Sequence, residues 1–246
     1  MTAGMPDGVS GGGEGVVVKI CGITSATDAL LAVGMGADAV GFIFAPSPRQ
    51  MAPGAVADIV KVLPHGILAV GVFRDEAPRR VVEITHQARL HAVQLHGRES
   101  AEDTRWIRDR VGTTIKAFPA GHPAVERFEN YGADYLLIDG ANPGSGEVFD
   151  WRLAEGVANP GRLIVSGGLG PANVGQAIRR LRPWGVDVAS GVESSPGVKD
   201  PGKLRDFLAA AREASAALAG AGGTTPAADS ALGGHRRAEL FDWQRE

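Results

Sequence analysis

The amino-acid sequence predicts a single-domain α/β fold, a (β/α)8 barrel of the TIM type, and three observations support this fold class. Eight short apolar segments typical of buried strands occur between residues 16 and 190. Helical patterns lie between most of them, and the strand-plus-helix unit recurs about every 24 residues. The main alternative is a doubly wound open sheet. The even spacing, and the absence of a G-x-G-x-x-G turn after the first strand, favour the barrel.

The predicted strands are rich in Val, Ile and Leu and almost continuously apolar, as expected of parallel strands that are covered on both faces. They span residues 16–21, 38–44, 67–73, 91–96, 114–118, 135–139, 162–166 and 186–190. Helical patterns span residues 25–36, 78–90, 171–182 and 203–218. Ser25, Ser100 and Pro171 are suitable for starting helices. Between the sixth and seventh strands, only residues 149–157 are left for a helix.

The sequence predicts a flexible tail at each end of the chain. Residues 1–15 and 219–246 are rich in small and polar side chains and lack sustained apolar periodicity. Such segments bury too little apolar surface to become ordered, so we expect the catalytic barrel domain to span residues 16–218. A small apolar cluster near the C-terminus, Leu240-Phe241-Asp242-Trp243, is interpreted as part of the tail rather than as a docking segment.

Composition and charge argue against several classes of partner. The chain has 25 basic and 28 acidic side chains, and no basic block is longer than a pair, so we expect no nucleic-acid partner. No apolar run approaches the roughly 20 residues that span a bilayer, so we expect no membrane association. One cysteine cannot form an internal disulfide, which favours a cytoplasmic location. The histidines lack metal-ligand spacing, so we expect no metal.

The active site of such a barrel lies at the C-terminal ends of the strands, so the last residues of each strand are the candidates. The first strand ends in Lys19-Ile20-Cys21. Because strand side chains alternate, Lys19 and Cys21 share a face, which we predict to be the barrel interior. A lone cysteine is more often a small buried hydrophobe. At this rim, beside a lysine able to lower its pKa, we favour a functional thiol.

The sixth strand ends in Asp139. Burying a carboxylate at the end of an apolar strand costs free energy unless it has a partner or a task. Partial burial would also raise its pKa towards that of a general acid. A cap for the following loop is the alternative, but we favour catalysis because the barrel would place Asp139 across its mouth from Cys21.

Two further side chains are expected near the mouth. Arg49 follows the second strand on a proline-rich loop, where its guanidinium would suit a carboxylate, although a solvated surface arginine is the commoner case. His96 ends the fourth strand on the same face as Gln94. A proton carrier is one interpretation of this histidine, but we favour a hydrogen-bonded core residue.

Glycine-containing loops follow the seventh and eighth strands. They contain Gly167-Gly168 and Ser190-Gly191. Glycine lets the backbone approach an anion closely, and helix N-termini offer free N–H groups. Because the loops after these two strands are the recurrent phosphate site of the fold, we expect the ligand to be a phosphate monoester.

Together these motifs resemble the phosphoribosylanthranilate isomerases of tryptophan biosynthesis, over about Val16 to Arg212. The shared motifs are KICGIT, GFIFAPSPR, VGVF, AVQLHG, KAF, LLID, GSGEVFDW, SGGLGPANV and DVASGVESSPGVKD. The resemblance implies an Amadori rearrangement of a phosphorylated aminoaldose without a metal or redox cofactor. It implies that Cys21 is the general base, that Asp139 is the general acid and that Arg49 contacts the anthranilate carboxylate. It implies a phosphate bound by four backbone positions, Gly167, Gly168, Ser190 and Gly191.

One departure from the family and several alternatives remain. The loop after the sixth strand is short, and Glu147 stands where the family often has a lysine. The related isomerase of histidine synthesis has an aspartate at the position of Cys21. Indole-3-glycerol-phosphate synthase would need catalytic lysines with carboxylate partners, and Lys19 and Lys116 have no evident partners. A protein that binds a phosphorylated ligand without catalysis is the alternative to an enzyme. The sequence leaves open whether the protein is a monomer or a homodimer.

Overall fold

The structure, a computed structural model, describes residues 15–140, 150–155 and 160–221. Eight parallel strands pair in chain order, and the last pairs with the first, which closes a barrel. The strands are β1 (Val17–Cys21), β2 (Ala39–Ile43), β3 (Leu68–Phe73), β4 (Ala92–Leu95), β5 (Thr113–Pro119), β6 (Tyr135–Asp139), β7 (Leu163–Val165) and β8 (Gly185–Val188). Each overlaps its predicted segment, and the predicted (β/α)8 fold class is confirmed.

Six α-helices surround this barrel in the described part of the chain. They are α1 (Ala26–Gly34), α2 (Pro53–Val60), α3 (Pro78–Gln87), α4 (Ala101–Arg108), α5 (Val174–Leu181) and α6 (Pro201–Ala221). The Ser25 side chain accepts a hydrogen bond from the Asp28 N–H, and the Ser100 side chain accepts one from the Asp103 N–H, so both are helix caps as predicted. No helix among the described residues is long and apolar enough to cross a bilayer.

The predicted helix start at Pro171 is wrong, because α5 begins three residues later at Val174. The Asn173 side chain closes the intervening turn. It accepts a hydrogen bond from the Gly170 N–H at 2.8 Å and donates one to the Gly168 carbonyl at 2.9 Å. Local side-chain bonding of this kind competes with a helical backbone, which delays the helix.

Short 3₁₀ helices replace α-helices after β5 and β6 in the described residues. They span Pro123–Tyr131, Trp151–Leu153 and Pro160–Arg162. The 3₁₀ helix Trp151–Leu153 lies within the predicted helix at 149–157. Residues 149, 156 and 157 of that prediction lie outside the described residues. Most of both predicted tails also lies outside the described residues. These begin at Gly15 and end with α6 at Ala221, past the expected domain end at residue 218.

The barrel interior changes from apolar to polar along its axis. The part near the N-terminal ends of the strands holds a cluster of small and aliphatic side chains. The rings of Tyr135 and Trp184 pack beside it, tilted, with their centroids 4.0 Å apart. Four buried polar side chains inside the barrel lie above this cluster, towards the C-terminal ends of the strands. They are Lys19, Gln94, Asp139 and Asp187. Buried polar groups need partners, so this end is the candidate site.

Candidate active site

Cys21 ends β1 on the inner face of the barrel and is 5% exposed. A Cβ atom at Gly41, on the neighbouring strand, would lie 2.8 Å from Cys21 Sγ and 3.1 Å from Lys19 Nζ. Lys19 and Cys21 therefore point to the same side, as predicted from strand alternation. Glycine at position 41 is what leaves room for the thiol.

Lys19 is paired with a carboxylate that the sequence did not reveal. Its Nζ lies 2.8 Å from Asp187 Oδ1 on β8, and both side chains are buried. Burial has the largest effect on the pKa of the Cys21 thiol and raises it. Lys19 lowers this pKa, as expected, and Lys199 lowers it too, but Asp187 raises it, and the net pKa lies above the ordinary value.

Asp139 ends β6 and is also buried at the mouth of the barrel. Its Oδ1 accepts a hydrogen bond from the Gly140 N–H at 2.8 Å, so the carboxylate does cap the start of the loop. Its Oδ2 is turned towards His96, and His96 Nε2 lies 3.1 Å away, although at an angle too oblique for a hydrogen bond. Two strands, β7 and β8, separate Asp139 from the strand of Cys21 around the barrel.

His96 has a larger part in this site than the sequence indicated. It is hydrogen-bonded, as predicted, because its Nδ1 lies 2.9 Å from Gln94 Nε2. The ring is not a core residue, however, since 21% of the side chain is exposed and it contacts Asp139. When the Gln94 amide donates, Nδ1 is the acceptor and the ring carries its proton on Nε2, which faces the carboxylate. The sequence did contain a signal for this role, because Gln94 and His96 lie two residues apart and therefore on the same face of the strand.

Arg49 lies beside the thiol, on the loop that follows β2. A Cβ atom at Gly22 would lie 2.6 Å from Arg49 Cδ, so the arginine packs directly on the backbone next to Cys21. Two of its nitrogens donate to the carboxylate of Glu193, which the structure reveals as a further site residue. Glu193 stands in a short antiparallel hairpin, β9 (Glu193–Ser195) and β10 (Val198–Lys199), that follows β8.

Lys116 also has a carboxylate partner, contrary to the expectation from sequence. Its Nζ lies 2.8 Å from Glu99 Oε2 and donates to the Gly97 carbonyl at 2.8 Å. Glu99 in turn accepts hydrogen bonds from the Gly97 and Asp75 N–H groups. This buried network fixes the turn that follows β4, and therefore the position of His96.

The predicted phosphate-binding glycines meet at one side of the mouth. Gly167 and Gly168 both have positive φ angles, of 81° and 64°, which only glycine adopts readily. A Cβ atom at Gly167 would collide with the Gly140 backbone, and one at Gly191 would collide with the Leu169 carbonyl oxygen. Gly140, which follows β6, and the loops after β7 and β8 are thus packed backbone to backbone. Ser190 begins a 3₁₀ turn, Ser190–Val192, and stays partly exposed.

We expect Gly191→Ala to loosen this loop cluster. The added methyl group cannot fit against the Leu169 carbonyl, so one loop must shift, at a cost of about 1–3 kcal/mol. The thermal midpoint should fall by a few degrees, and affinity for inorganic phosphate should decrease. Gly170→Ala is the matched control, since its Cβ would lie an ordinary 3.8 Å from the Gly191 carbonyl oxygen. Equal behaviour of the two variants would contradict the close packing.

Among the described residues, no three His, Cys, Asp or Glu side chains are grouped so that they could hold a metal ion. The side chains and backbone that do meet at the mouth are a buried thiol, a carboxylate with a histidine neighbour, a fixed guanidinium and a group of closely packed glycines. Such a set can move protons to and from a phosphorylated substrate.

Comparisons with known proteins show which family this chain resembles. The family model of N-(5′-phosphoribosyl)anthranilate (PRA) isomerase matches residues 18–210. The isomerase of Desulforudis audaxviator is 48% identical over 205 residues, which cover 80% of this chain and 98% of that protein.

Solved structures of the same family share the fold. The phosphoribosylanthranilate isomerase of Thermus thermophilus aligns with a TM-score of 0.75 at 44% identity, over 79% of this chain and 98% of that one. A second isomerase structure, in complex with reduced 1-(o-carboxyphenylamino)-1-deoxyribulose 5-phosphate, aligns with a TM-score of 0.71 at 42% identity, over 80% of this chain and 98% of that one. With most of its length matched in sequence and in fold, this chain belongs to the N-(5′-phosphoribosyl)anthranilate isomerase family.

Proposed function

We propose that the protein converts N-(5′-phosphoribosyl)anthranilate to 1-(2-carboxyphenylamino)-1-deoxyribulose 5-phosphate, an aldose–ketose isomerisation in tryptophan biosynthesis. The observation that carries this proposal is the presence of a buried thiol and a buried carboxylate, Cys21 and Asp139, at the same mouth of a barrel of this family. The family member solved with the reduced product supports the substrate class.

The reaction starts with proton donation by Asp139. The proton goes to the ring oxygen of the ribose, the C1′–O bond breaks, and the lone pair of the substrate nitrogen forms an iminium at C1′. His96 Nε2 lies 3.1 Å from the carboxylate but would have to turn to form a hydrogen bond with it, so we assign the acid role to Asp139 itself.

Cys21 then acts on the opened chain. The iminium acidifies the C2′ proton, which the thiolate removes, and the electron pair of that C–H bond neutralises the iminium to give an enolamine. Tautomerisation of the enolamine yields the ketone. Since the substrate's own nitrogen accepts the electrons, the chemistry needs no external oxidant or reductant.

The remaining residues hold the substrate at its two charged ends. The backbone of Gly167, Gly168, Ser190 and Gly191, which is closely packed at one side of the mouth, would bind the phosphate through its N–H groups. Arg49 lies near the thiol, at a place suited to the anthranilate carboxylate. Holding both ends fixes C1′ and C2′ between acid and base. A base that must stay a reduced thiol also supports a cytoplasmic location.

Turnover by the purified protein tests the function. Phosphoribosylanthranilate, generated in situ, loses its anthranilate fluorescence on conversion, and the product is identified by mass and chromatography. We expect rapid loss with the intact chain. The aminoaldose of the corresponding step in histidine synthesis should not be converted, because that chemistry is associated with an aspartate in place of Cys21. A folded chain without turnover of phosphoribosylanthranilate would overturn the proposal.

The pH dependence of the rate should report the raised pKa of Cys21. Since the reaction needs the thiolate, kcat/KM should rise with pH until the thiol is ionised. Burial raises the pKa of the thiol, so this rise should occur at a higher pH than for an exposed cysteine. Asp187→Asn removes a charge that raises this pKa and frees Lys19 to attract the thiolate. The acid limb of the profile should therefore shift to lower pH.

Asp58→Asn provides the control for this shift, because Asp58 forms an exposed pair with Lys61, 2.8 Å away. Its profile should coincide with that of the parent chain. Circular dichroism establishes that the Asp187→Asn variant is folded. An acid limb that stays in place in a folded Asp187→Asn protein would show that Asp187 does not set the pKa of the base.

A further inference from the structure

The guanidinium of Arg49 is held from one side only. Its Nε and Nη2 atoms donate to the two carboxylate oxygens of Glu193, at 2.8 and 2.6 Å. Among the described residues, no acceptor is bonded to Nη1. A guanidinium has a side edge, formed by Nε and Nη2, and an end edge, formed by its two Nη atoms. Glu193 occupies the side edge and leaves the end edge for a second carboxylate.

Glu193 is itself held in place by a second cation. Lys199 Nζ lies 2.9 Å from Glu193 Oε1, and the Lys199 side chain is 0% exposed. The same Nζ donates to the carbonyl oxygens of Cys21, at 2.6 Å, and Ala189, at 3.2 Å. The pairing of β9 with β10 places Lys199 opposite Glu193. The three side chains are therefore tied directly to the strand that carries the thiol.

The charges of this cluster favour binding of one further anion. Arg49 carries one positive charge and Glu193 one negative charge. Lys199 adds a second positive charge in its protonated form, although burial lowers its pKa and the hydrogen bond to Glu193 offsets only part of this. Burial alone would raise the pKa of Glu193, but the hydrogen bonds from Arg49 and Lys199 hold it below its ordinary value. The carboxyl is thus ionised, and with Lys199 protonated the cluster has a net charge of +1. A carboxylate bound at the free edge of Arg49 would neutralise it.

We propose that Glu193, fixed by Lys199, is a positioning residue that aims the free edge of Arg49 at the carboxylate on the aromatic ring of the substrate. The inference rests on the proposed function. A free arginine side chain has several rotatable bonds and must be ordered each time a ligand binds. Because Arg49 is already held against Gly22 and Glu193, that ordering is complete before binding. Selectivity for an ortho-carboxylate should therefore depend on Glu193.

Calorimetric binding of two stable ligands tests this role. One is reduced 1-(o-carboxyphenylamino)-1-deoxyribulose 5-phosphate, and the other is the same compound with an unsubstituted phenyl ring. The parent chain should prefer the carboxylated ligand. Glu193→Gln should lose about 10-fold or more of that preference and should bind the phenyl ligand as the parent does. Glu193→Asp keeps the charge and should lose less.

Two further variants make the test specific. In an Arg49→Lys background, Glu193→Gln should have little additional effect on the preference, because the group that it positions is gone. Glu83→Gln makes the same chemical change in an exposed pair with Arg80, and it should leave both affinities unchanged. Equal weakening of both ligands by Glu193→Gln, or an unchanged preference, would overturn the positioning role. Failure of the parent to bind either ligand would instead overturn the proposed function, and this inference with it.

Discussion

Replacing Cys21 with alanine should lower kcat by about 10²–10⁴-fold, because the substitution removes the group that we propose takes the C2′ proton. The thiol lies at the end of β1, enclosed by Lys19 and the Gly41 backbone. Alanine removes the sulfur and leaves the surrounding ion pair intact. The rate is measured by loss of anthranilate fluorescence, and affinity for the reduced product is measured by calorimetry.

Cys21→Ser is the companion variant for this prediction. It keeps the shape of the side chain, but a hydroxyl is far harder to ionise than a thiol, so the rate should stay close to that of the alanine variant. Both variants should bind the reduced product with nearly the parent affinity. A serine or alanine variant that turns over at the parent rate would exclude Cys21 as the base.

Replacing Asp139 with asparagine should lower kcat by a similar factor of about 10²–10⁴, because the amide cannot donate the proton that opens the ribose ring. The substitution is conservative for the fold. The Oδ1 of asparagine can still accept the hydrogen bond from the Gly140 N–H, which is 2.8 Å long in the parent. We therefore expect an unchanged circular dichroism spectrum and a nearly unchanged affinity for the reduced product.

Asp206→Asn is the control for the Asp139 variant, since Asp206 forms an exposed pair with Arg205 at 2.9 Å on α6. It should have the parent rate. If Asp139→Asn keeps the parent rate, the acid must be another group, and His96 is the neighbour to replace next. Loss of product affinity together with the rate would indicate a binding role for Asp139 instead of proton donation.

The positions of the strand ends were predictable because the information is local. Continuous apolar runs mark strands covered on both faces, and the residue that ends each run lies at the mouth of a parallel barrel. Cys21 and Asp139 were found in this way, and both lie at the mouth. Where a nearby side chain competes for the backbone, local patterns mislead, and the start of α5 was misplaced because Asn173 closes a turn there.

The partners of these side chains were not predictable by the same route. The pair of Lys19 and Asp187 joins residues 168 apart in sequence, and that of Arg49 and Glu193 joins residues 144 apart. The contact of His96 with Asp139 likewise crosses from β4 to β6. Nothing local distinguishes a strand carboxylate that pairs with a lysine from one that stays alone, because the pairing exists only after the barrel closes.

The sequence by itself determined the architecture, the end of the barrel that holds the candidate site, and the thiol, carboxylate and glycine-containing loops found there. These follow from periodicity and from residue types at strand ends, which short-range sterics and burial control. Only the tertiary structure decided that the pKa of Cys21 is raised, that His96 faces Asp139 and that Glu193 holds Arg49. Those properties depend on burial and on charges brought within a few ångströms by chain closure, and electrostatic effects at that range are set by distance and solvent exclusion.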